Sequence, residues 1–379
     1  MSRRSLRHSR RGNILVLTAF VLVGLMAIVA LSVDVGVLSV ARNQLQRSAD
    51  SAALAACWEL IDEGAPARLS ERDSMPSTAA AKANEFAGLN TVLAGSPVVA
   101  GSDVEVGYLS NPSDPNCPLV VGGTQAPNAV HLRVRRSSEL NGSVPLFFAR
   151  VMGRDALDMQ ADATAALLTS IRGFRSPPSD KPLGILPFAL DEETCQKMLA
   201  GIGSDNWVWD KDTQKVVSGH DRVVEVNLYP QGTGSPGNRG TVDIGNNNNS
   251  TKDIARQITE GVSKADLDAI GGKLELVNGV LYLNGDTGIS AGVKDELASI
   301  IGEPKIIPIF REVKGNGNNA IYMIVDFVGV TVLDVKLTGA LSSKRVTIQP
   351  TNIVTHSAIA SPDNTSLGHF IYSPVWLVR

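Results

Sequence analysis

The chain has 379 residues, 43% of them hydrophobic and 19% charged, with 35 Gly and 19 Pro, a composition that suits strands and turns more than a helical bundle. The net charge of −3 is unevenly spread: Arg3, Arg4, Arg7, Arg10 and Arg11 fall in the first twelve residues with no acid among them. Taking these five from the 35 bases leaves 30 against 38 acids, so residues 13–379 carry −8, which excludes a body built to bind a phosphate backbone.

Asn13–Val33 is 21 residues without a charge. At 1.5 Å per residue it makes roughly 32 Å of helix, enough to cross a bilayer core of about 30 Å. Preceded by the five arginines, it predicts a membrane helix with a cytosolic N-terminus and everything after Asp34 exported. Two other readings compete with a retained anchor. A secretory signal could be cut at "ALS", 30–32, but its apolar region usually runs about 7–15 residues. "LAAC", 54–57, looks like a lipobox, yet Asp34, Arg42, Arg47 and Asp50 separate it from the apolar run.

The pattern does not stop at the span. Leu38, Ala41, Leu45, Ala49, Ala52, Ala56 and Leu60 recur at three- and four-residue steps, one face of a helix, and no Pro or Gly interrupts 37–61. The expectation is a membrane helix that continues as an amphipathic one. Its small stripe would pack against its own domain or dock a partner.

"RRGNILVLTAFVLVGLMAIVALSVDVG" followed by "LQRSADSAALAA" resembles the N-terminal segment of the TadE/TadG-like Flp pilus-assembly proteins of bacterial tight-adherence secretion systems. The pattern is a basic tail with Gly12, an apolar span closed by Val33, Asp34 and Gly36, and L-Q-x-x-x-D-x-A-A-L-A-A from Leu45 to Ala56. The resemblance implies a non-enzymatic envelope protein that helps assemble or anchor Flp-type pili. Type IV prepilins share this layout, but they are cut after a glycine and usually carry Glu five residues later. Here the fifth residue after Gly12 is Leu17, which argues against that cleavage.

Further along, 74–95 predicts a second helix, Val104–Leu109 and Val130–Arg135 alternate as strands, and Val144–Val151 predicts a helix with Pro145 in its first turn. Leu157–Leu168 fits strand or helix. "GFRSPPSDKP", 173–182, reads as a linker. Beyond it Ile185–Leu190, Val223–Leu228, Leu274–Val277, Leu281–Leu283, Ile306–Arg311, Ile321–Val335, Arg345–Ile348 and Ile371–Val378 read as strands. Lys252–Val262 and Val293–Ile301 read as short helices, and Asn246–Asn249 as a solvated loop. "SPGNRGTVDIG", "NGDTGISAGVKDELASIIG" and "LTG…RVTIQP" are similar to segments of long TadG-like members. The D-x-S-x-S metal motif of some members is absent, since "DNTS" at 363–366 misses the spacing.

The catalytic signals are weak. "GTGSPG", 232–237, matches G-x-G-x-x-G, but Pro230 and Pro236 spoil the strand–helix context that a dinucleotide needs. "GISAG", 288–292, would make Ser290 a nucleophile with Asp326 or Asp334 and His356 or His369, but "NGDTG" stretches the elbow between strand and serine. Five scattered histidines form no metal cluster, "DKD" at 210–212 reads as a turn, and "NWVWD" at 206–210 reads as strand. Cys57, Cys117 and Cys195 show no C-x-x-C, and one disulfide in any of three pairings or three free thiols all remain open.

The expected architecture is a single-pass membrane anchor helix, then a small α+β domain and a larger β-rich α+β domain. The boundaries are a cytosolic tail at 1–12, a transmembrane helix at 13–33, the helix extension with a pilin-like domain at 34–172, a linker at 173–183 and a β-rich domain at 184–379. Arg3, Arg4, Arg7, Arg10 and Arg11 would set membrane orientation, and Leu38, Ala41, Leu45, Ala49, Ala52 and Ala56 would pack the helix or dock a partner. No enzyme activity, cofactor or metal is expected. The expected partners are membrane lipid, other pilus-assembly or secretion-system proteins and a second copy of the chain. The expected location is the bacterial cytoplasmic membrane. The alternatives are an exported serine hydrolase and a secreted adhesin or binding module.

Overall fold

The structure, a computed structural model, describes residues 13–61, 75–177, 181–210, 212–229, 240–245, 250–286, 290–315, 319–340, 343–361 and 367–379. A helix, α1 (Asn13–Trp58), runs unbroken for 46 residues, about 69 Å at 1.5 Å per residue. The uninterrupted pattern read from the sequence is thus one rod with two surroundings. Residues 14–29 and 31–33 are exposed on every side, whereas from Ala41 onward one face is buried.

What buries that face is a helix and a sheet. Helix α2 (Met75–Leu89) presents Ala79, Ala83 and Ala87 at four-residue spacing. The sheet contains β1 (Val104–Tyr108), β2 (Val120–Val121), β3 (Ala129–Arg136) and β6 (Met159–Ala166), between which β4 (Val144–Pro145) and β5 (Ala156–Leu157) form a separate ribbon. Trp376–Leu377 pairs antiparallel with β6 and completes the sheet, in the order β2-β1-β3-β6 and then the C-terminal strand. Val130, Leu132 and Val134 of β3 and Ala161, Ala163 and Ala165 of β6 alternate into the same core as the alanines of both helices. Alanine on three surfaces lets the backbones approach closely. Full burial of Leu45 contributes about 1.5–3 kcal/mol.

The remainder is β-rich. Its centre is the 17-residue strand Ala320–Lys336, paired along one side with Pro304–Lys314 and along the other with Leu281–Asp286 and Arg345–Pro350. Val226–Tyr229 and Thr241–Val242 extend this sheet to seven strands with Leu190–Asp191. One apolar cluster includes Phe174, Phe310, Tyr322 and Phe327, and a second includes Phe188, Ile307, Val328 and Ile348. The whole is therefore an apolar N-terminal helix followed by β-rich α+β structure.

Several elements differ from the expectation. The α2 helix stops at Leu89: Asn90 Nδ2 donates to the Phe86 carbonyl, and the chain reverses through Leu93 and Ala94 at φ 48° and 65°. Val144–Pro145 is a strand and not a helix start. Pro145 lies in a two-stranded ribbon, where a missing N–H is tolerated, and only Ala149–Met152 coils, as a 3-10 turn. Residues 157–168 are mostly strand. Of the stretch read as linker, Gly173–Arg175 belongs to β7 (Ile171–Arg175), which pairs with Lys273–Glu275 and Ala358–Ala360. Besides the two expected short helices, Thr251–Glu260 and Lys294–Ser299, there are Glu192–Leu199 and Lys264–Ala269. The single strand expected at 371–378 is two: Ile371–Tyr372 pairs with Ile353–Val354, and Trp376–Leu377 pairs with β6.

Candidate functional site

The arginine tail lies outside the described residues, so the site begins where α1 leaves its bare stretch. Asp34 is buried although it follows twenty exposed or half-exposed apolar and small residues. Its Oδ1 accepts the N–H of Phe147 at 2.7 Å, and its Oδ2 accepts those of Phe148 at 3.1 Å and Ala149 at 2.8 Å. These three amides open the Ala149–Met152 turn, which Gly153 closes at φ 79°. Successive N–H groups at the start of a turn lack partners of their own, so a carboxylate supplied by a distant helix completes them. Burial pushes the Asp34 carboxyl up. The N–H groups of Phe147, Ala149 and Phe148 and the charge of Arg150 outweigh it and hold the group below its ordinary value.

Above this junction α1 is seated in its own head. Ala41, Leu45, Ala49, Ala52 and Ala56 are wholly buried and Leu38 half-buried. Polar contacts border the stripe: Ser48 Oγ donates to the Ala87 carbonyl at 3.2 Å, and Gln44 Oε1 accepts the Leu93 N–H at 2.8 Å. Gln46 Nε2 donates to Asp50 Oδ1 at 2.8 Å and to the Asp162 carbonyl at 3.1 Å. Arg42 and Arg47 stay exposed. The end of α1 reaches the β-rich part: Trp58, Glu59 and Ile61 share a cleft of about 560 Å³ with Trp209, Pro304 and Thr351. Gly302, at φ +85°, lies against the Trp209 indole where no Cβ fits.

Asp34 is the junction residue that the site-level reading missed. The family pattern contained it, but its bonding partners lie more than a hundred residues away. The local signal was a carboxylate abutting an apolar span inside a continuing helix.

The residues weighed for catalysis do not converge on a serine. Ser290 Oγ accepts the Gly292 N–H at 3.1 Å as the cap of the Ala291–Val293 turn. Asp326 does meet His369, Nε2 to Oδ2 at 3.1 Å, but its Oδ1 is taken by the N–H groups of Phe327 and Gly368. Asp334 pairs with Arg345. Asp210 accepts the N–H of Asp212 and both the N–H and the hydroxyl of Thr213, a turn. Trp207–Asp210 forms a hairpin with Lys215–Ser218. The glycine-rich 232–237 and the asparagine tract 246–249 lie outside the described residues. Among the described residues no group of three or more His, Cys, Asp or Glu could hold a metal ion. Cys57, Cys117 and Cys195 are buried and free.

An N-terminal helix apolar and long enough to cross a membrane carries a head folded around its second half, an arrangement of stalk-and-head type. Residues 12–68 match the family model described as "Putative Flp pilus-assembly TadE/G-like", and residues 63–165 match that described as "Putative Tad-like Flp pilus-assembly". Over residues 12–165 the chain is similar to the TadE/G-like Flp pilus-assembly family. The matches span α1, α2 and nearly all of the first sheet, and residues 166–379 lie outside both. No curated protein and no solved structure matches the chain.

Proposed function

We propose that the chain is a retained single-pass protein of the bacterial cytoplasmic membrane. Residues 13–33 cross the bilayer, the five arginines hold the N-terminus in the cytosol, and residues 34–379 stand outside as a two-part head. Its role is structural: it helps assemble or anchor Flp-type pili in tight adherence by presenting the head to other pilus-assembly or secretion-system proteins. The observation that carries this reading is the contrast along α1, where residues 14–33 are bare and apolar while residues 41–57 are packed into the chain's own core. A helix cut near residue 33 would leave Asp34 at a frayed end, whereas a retained one holds it mid-helix. The Leu38–Ala56 stripe serves to seat the head on its stalk.

Alkaline-carbonate washing of membranes, followed by protease treatment of spheroplasts, tests the reading. The intact chain is expected in the pellet, and external protease should digest the head while sparing a fragment that contains 1–33. A carbonate-soluble chain, or a mature N-terminus beyond Val33, refutes it.

A further inference from the structure

We propose that the segment Leu146–Leu157 is a membrane foot, inserting Phe147, Phe148, Val151 and Met152 at the boundary between headgroups and acyl chains of the leaflet from which α1 emerges, with Asp34 setting its depth. The inference rests on the reading of α1 as a retained anchor.

Two independent observations meet at this segment. The first is its surface. Phe147 is 58% exposed, Phe148 45%, Val151 91% and Met152 85%, and every residue from Arg150 to Asp158 is exposed. Four bulky apolar side chains within six residues, on the tip of the β4–β5 ribbon, form a patch that water disfavours and that nothing among the described residues covers.

The second is its height. Asp34 is twenty residues beyond Ile14, about 30 Å along the helix, which is the thickness of a bilayer core. If the cytosolic edge of the core lies at Ile14, the outer edge lies at Asp34. Three hydrogen bonds tie the backbone of Phe147–Ala149 to that carboxylate. The apolar tip is thereby fixed at the level where hydrocarbon gives way to headgroups, beside a helix that already occupies the lipid.

The flanking charges fit the same occupant. Arg150 and Arg154 are exposed next to the apolar residues. Arg150 is 4.0 Å from Asp155 and its charge also acts on Asp34, but the side chain is exposed and its guanidinium can reach lipid phosphate. Asp155 and Asp158 are exposed as well, on the far side of the turn from Phe147, Phe148, Val151 and Met152 in sequence, and apolar residues beside arginines are the composition of segments that lie in the interface, typically buried about 5–10 Å deep. A docking site for a soluble partner would need no fixed register with the end of the membrane span.

The test uses the unaltered full chain, reconstituted into phosphatidylethanolamine–phosphatidylglycerol vesicles that include a phospholipid with a diazirine in its acyl chain. Flotation first establishes that the chain resides in the vesicles. After irradiation, peptide mapping is expected to find lipid adducts on 146–157 as well as on 13–33, with none on the exposed hairpin around Val217. Asp34→Asn is expected to keep the 13–33 adducts and to lower those on 146–157 several-fold. Replacing Val151 and Met152 together by Asp should abolish the loop adducts while the chain still floats. A floating chain with adducts confined to 13–33 overturns the foot and leaves the anchor standing, and so does a loop protected from hydrogen exchange yet free of lipid adducts, which would mean that a second copy or another protein covers it. A chain that fails to float overturns both.

Discussion

Ala49→Leu tests whether the alanine stripe of α1 is the seat of the head. Ala49 has no exposed surface and shares one core with Ala79, Ala83 and Ala87 of α2 and with Ala161, Ala163 and Ala165 of β6. Leucine adds three carbons at a point where helix and sheet meet through methyl groups. Forcing extra methylenes into a filled core costs about 1–3 kcal/mol. On an exposed helix face the same change would be almost neutral, because Ala and Leu differ in helix propensity by only about 0.2 kcal/mol. The two readings of the stripe, packed inside or presented to a partner, therefore differ in measured stability. At about 2–4 °C per kcal/mol, the melting midpoint of the full chain in detergent, followed by circular dichroism, should fall by roughly 2–12 °C. Val40→Ala, on the exposed face just before the seat, should leave the midpoint within about a degree, since surface substitutions usually stay within ±0.5 kcal/mol. An unchanged midpoint for Ala49→Leu would refute the internal seat and assign the stripe to an intermolecular contact.

Asp34→Asn leaves a single carbonyl oxygen where two carboxylate oxygens held three amides, so hydrogen exchange at Phe147, Phe148 and Ala149 should quicken while exchange in α2 stays unchanged. Because the folded-state carboxyl is held below its ordinary value of 3.8, its contribution is present above that value and is lost as pH falls through the folded pKa. Loosening of the loop, read as faster tryptic cleavage after Arg150 following an acid pulse, should therefore appear only below the ordinary carboxylate range. Gly36→Ala should be tolerated and should stabilise α1 by about 0.5–1 kcal/mol, since a Cβ there meets nothing within 4 Å; a drop in the melting midpoint would contradict the open face. Iodoacetamide should label Cys117 before Cys57 and Cys195. The Ser110 hydroxyl, against some desolvation, lowers the Cys117 thiol, while burial pushes the other two up, and mass-spectrometric mapping of the labelled chain would show the order.

Much of the stalk and its seat was legible because the signals are local and periodic. Twenty-one uncharged residues, then small residues every three or four positions without Pro or Gly, describe one helix passing from a bare apolar stretch into a core. The two-residue alternation of Val130, Leu132 and Val134 likewise describes a half-buried strand. The β4 segment was misread for a physical reason: Pro145 is as compatible with a ribbon as with a first helical turn, and the ribbon is fixed by pairing with Ala156–Leu157 while the turn after it is held by Asp34, 113 residues from Phe147. No local pattern carries that information. The helix Lys264–Ala269 could have been found, since Ser263 and Asp266 form a capping box, and so could Glu192–Leu199, which Asp191 caps. The C-terminal run was read as one strand because its apolar residues are nearly continuous. Ser373 and Pro374 divide it, and the Ser373 hydroxyl accepts the Leu168 N–H, sending the two halves to different sheets.

The junction at Asp34 also bears on how such a head can work. A single helix crossing a bilayer fixes the height of what it carries but leaves the cargo free to turn about the helix axis. Because α1 has no Pro or Gly between residues 37 and 58 and its buried face is locked against α2 and β6, the head cannot turn on its stalk: stalk and head move as one body. The remaining freedom is rotation of that whole body in the membrane and tilt of the helix. A second contact at the membrane surface, off the helix axis and tied to it through Asp34, restrains tilt, because leaning toward the loop drives charged Arg150 and Arg154 into hydrocarbon and leaning away lifts Phe147, Phe148, Val151 and Met152 into water. If the chain presents a surface to a growing filament as proposed, a fixed tilt is what would convert membrane attachment into a defined direction of approach.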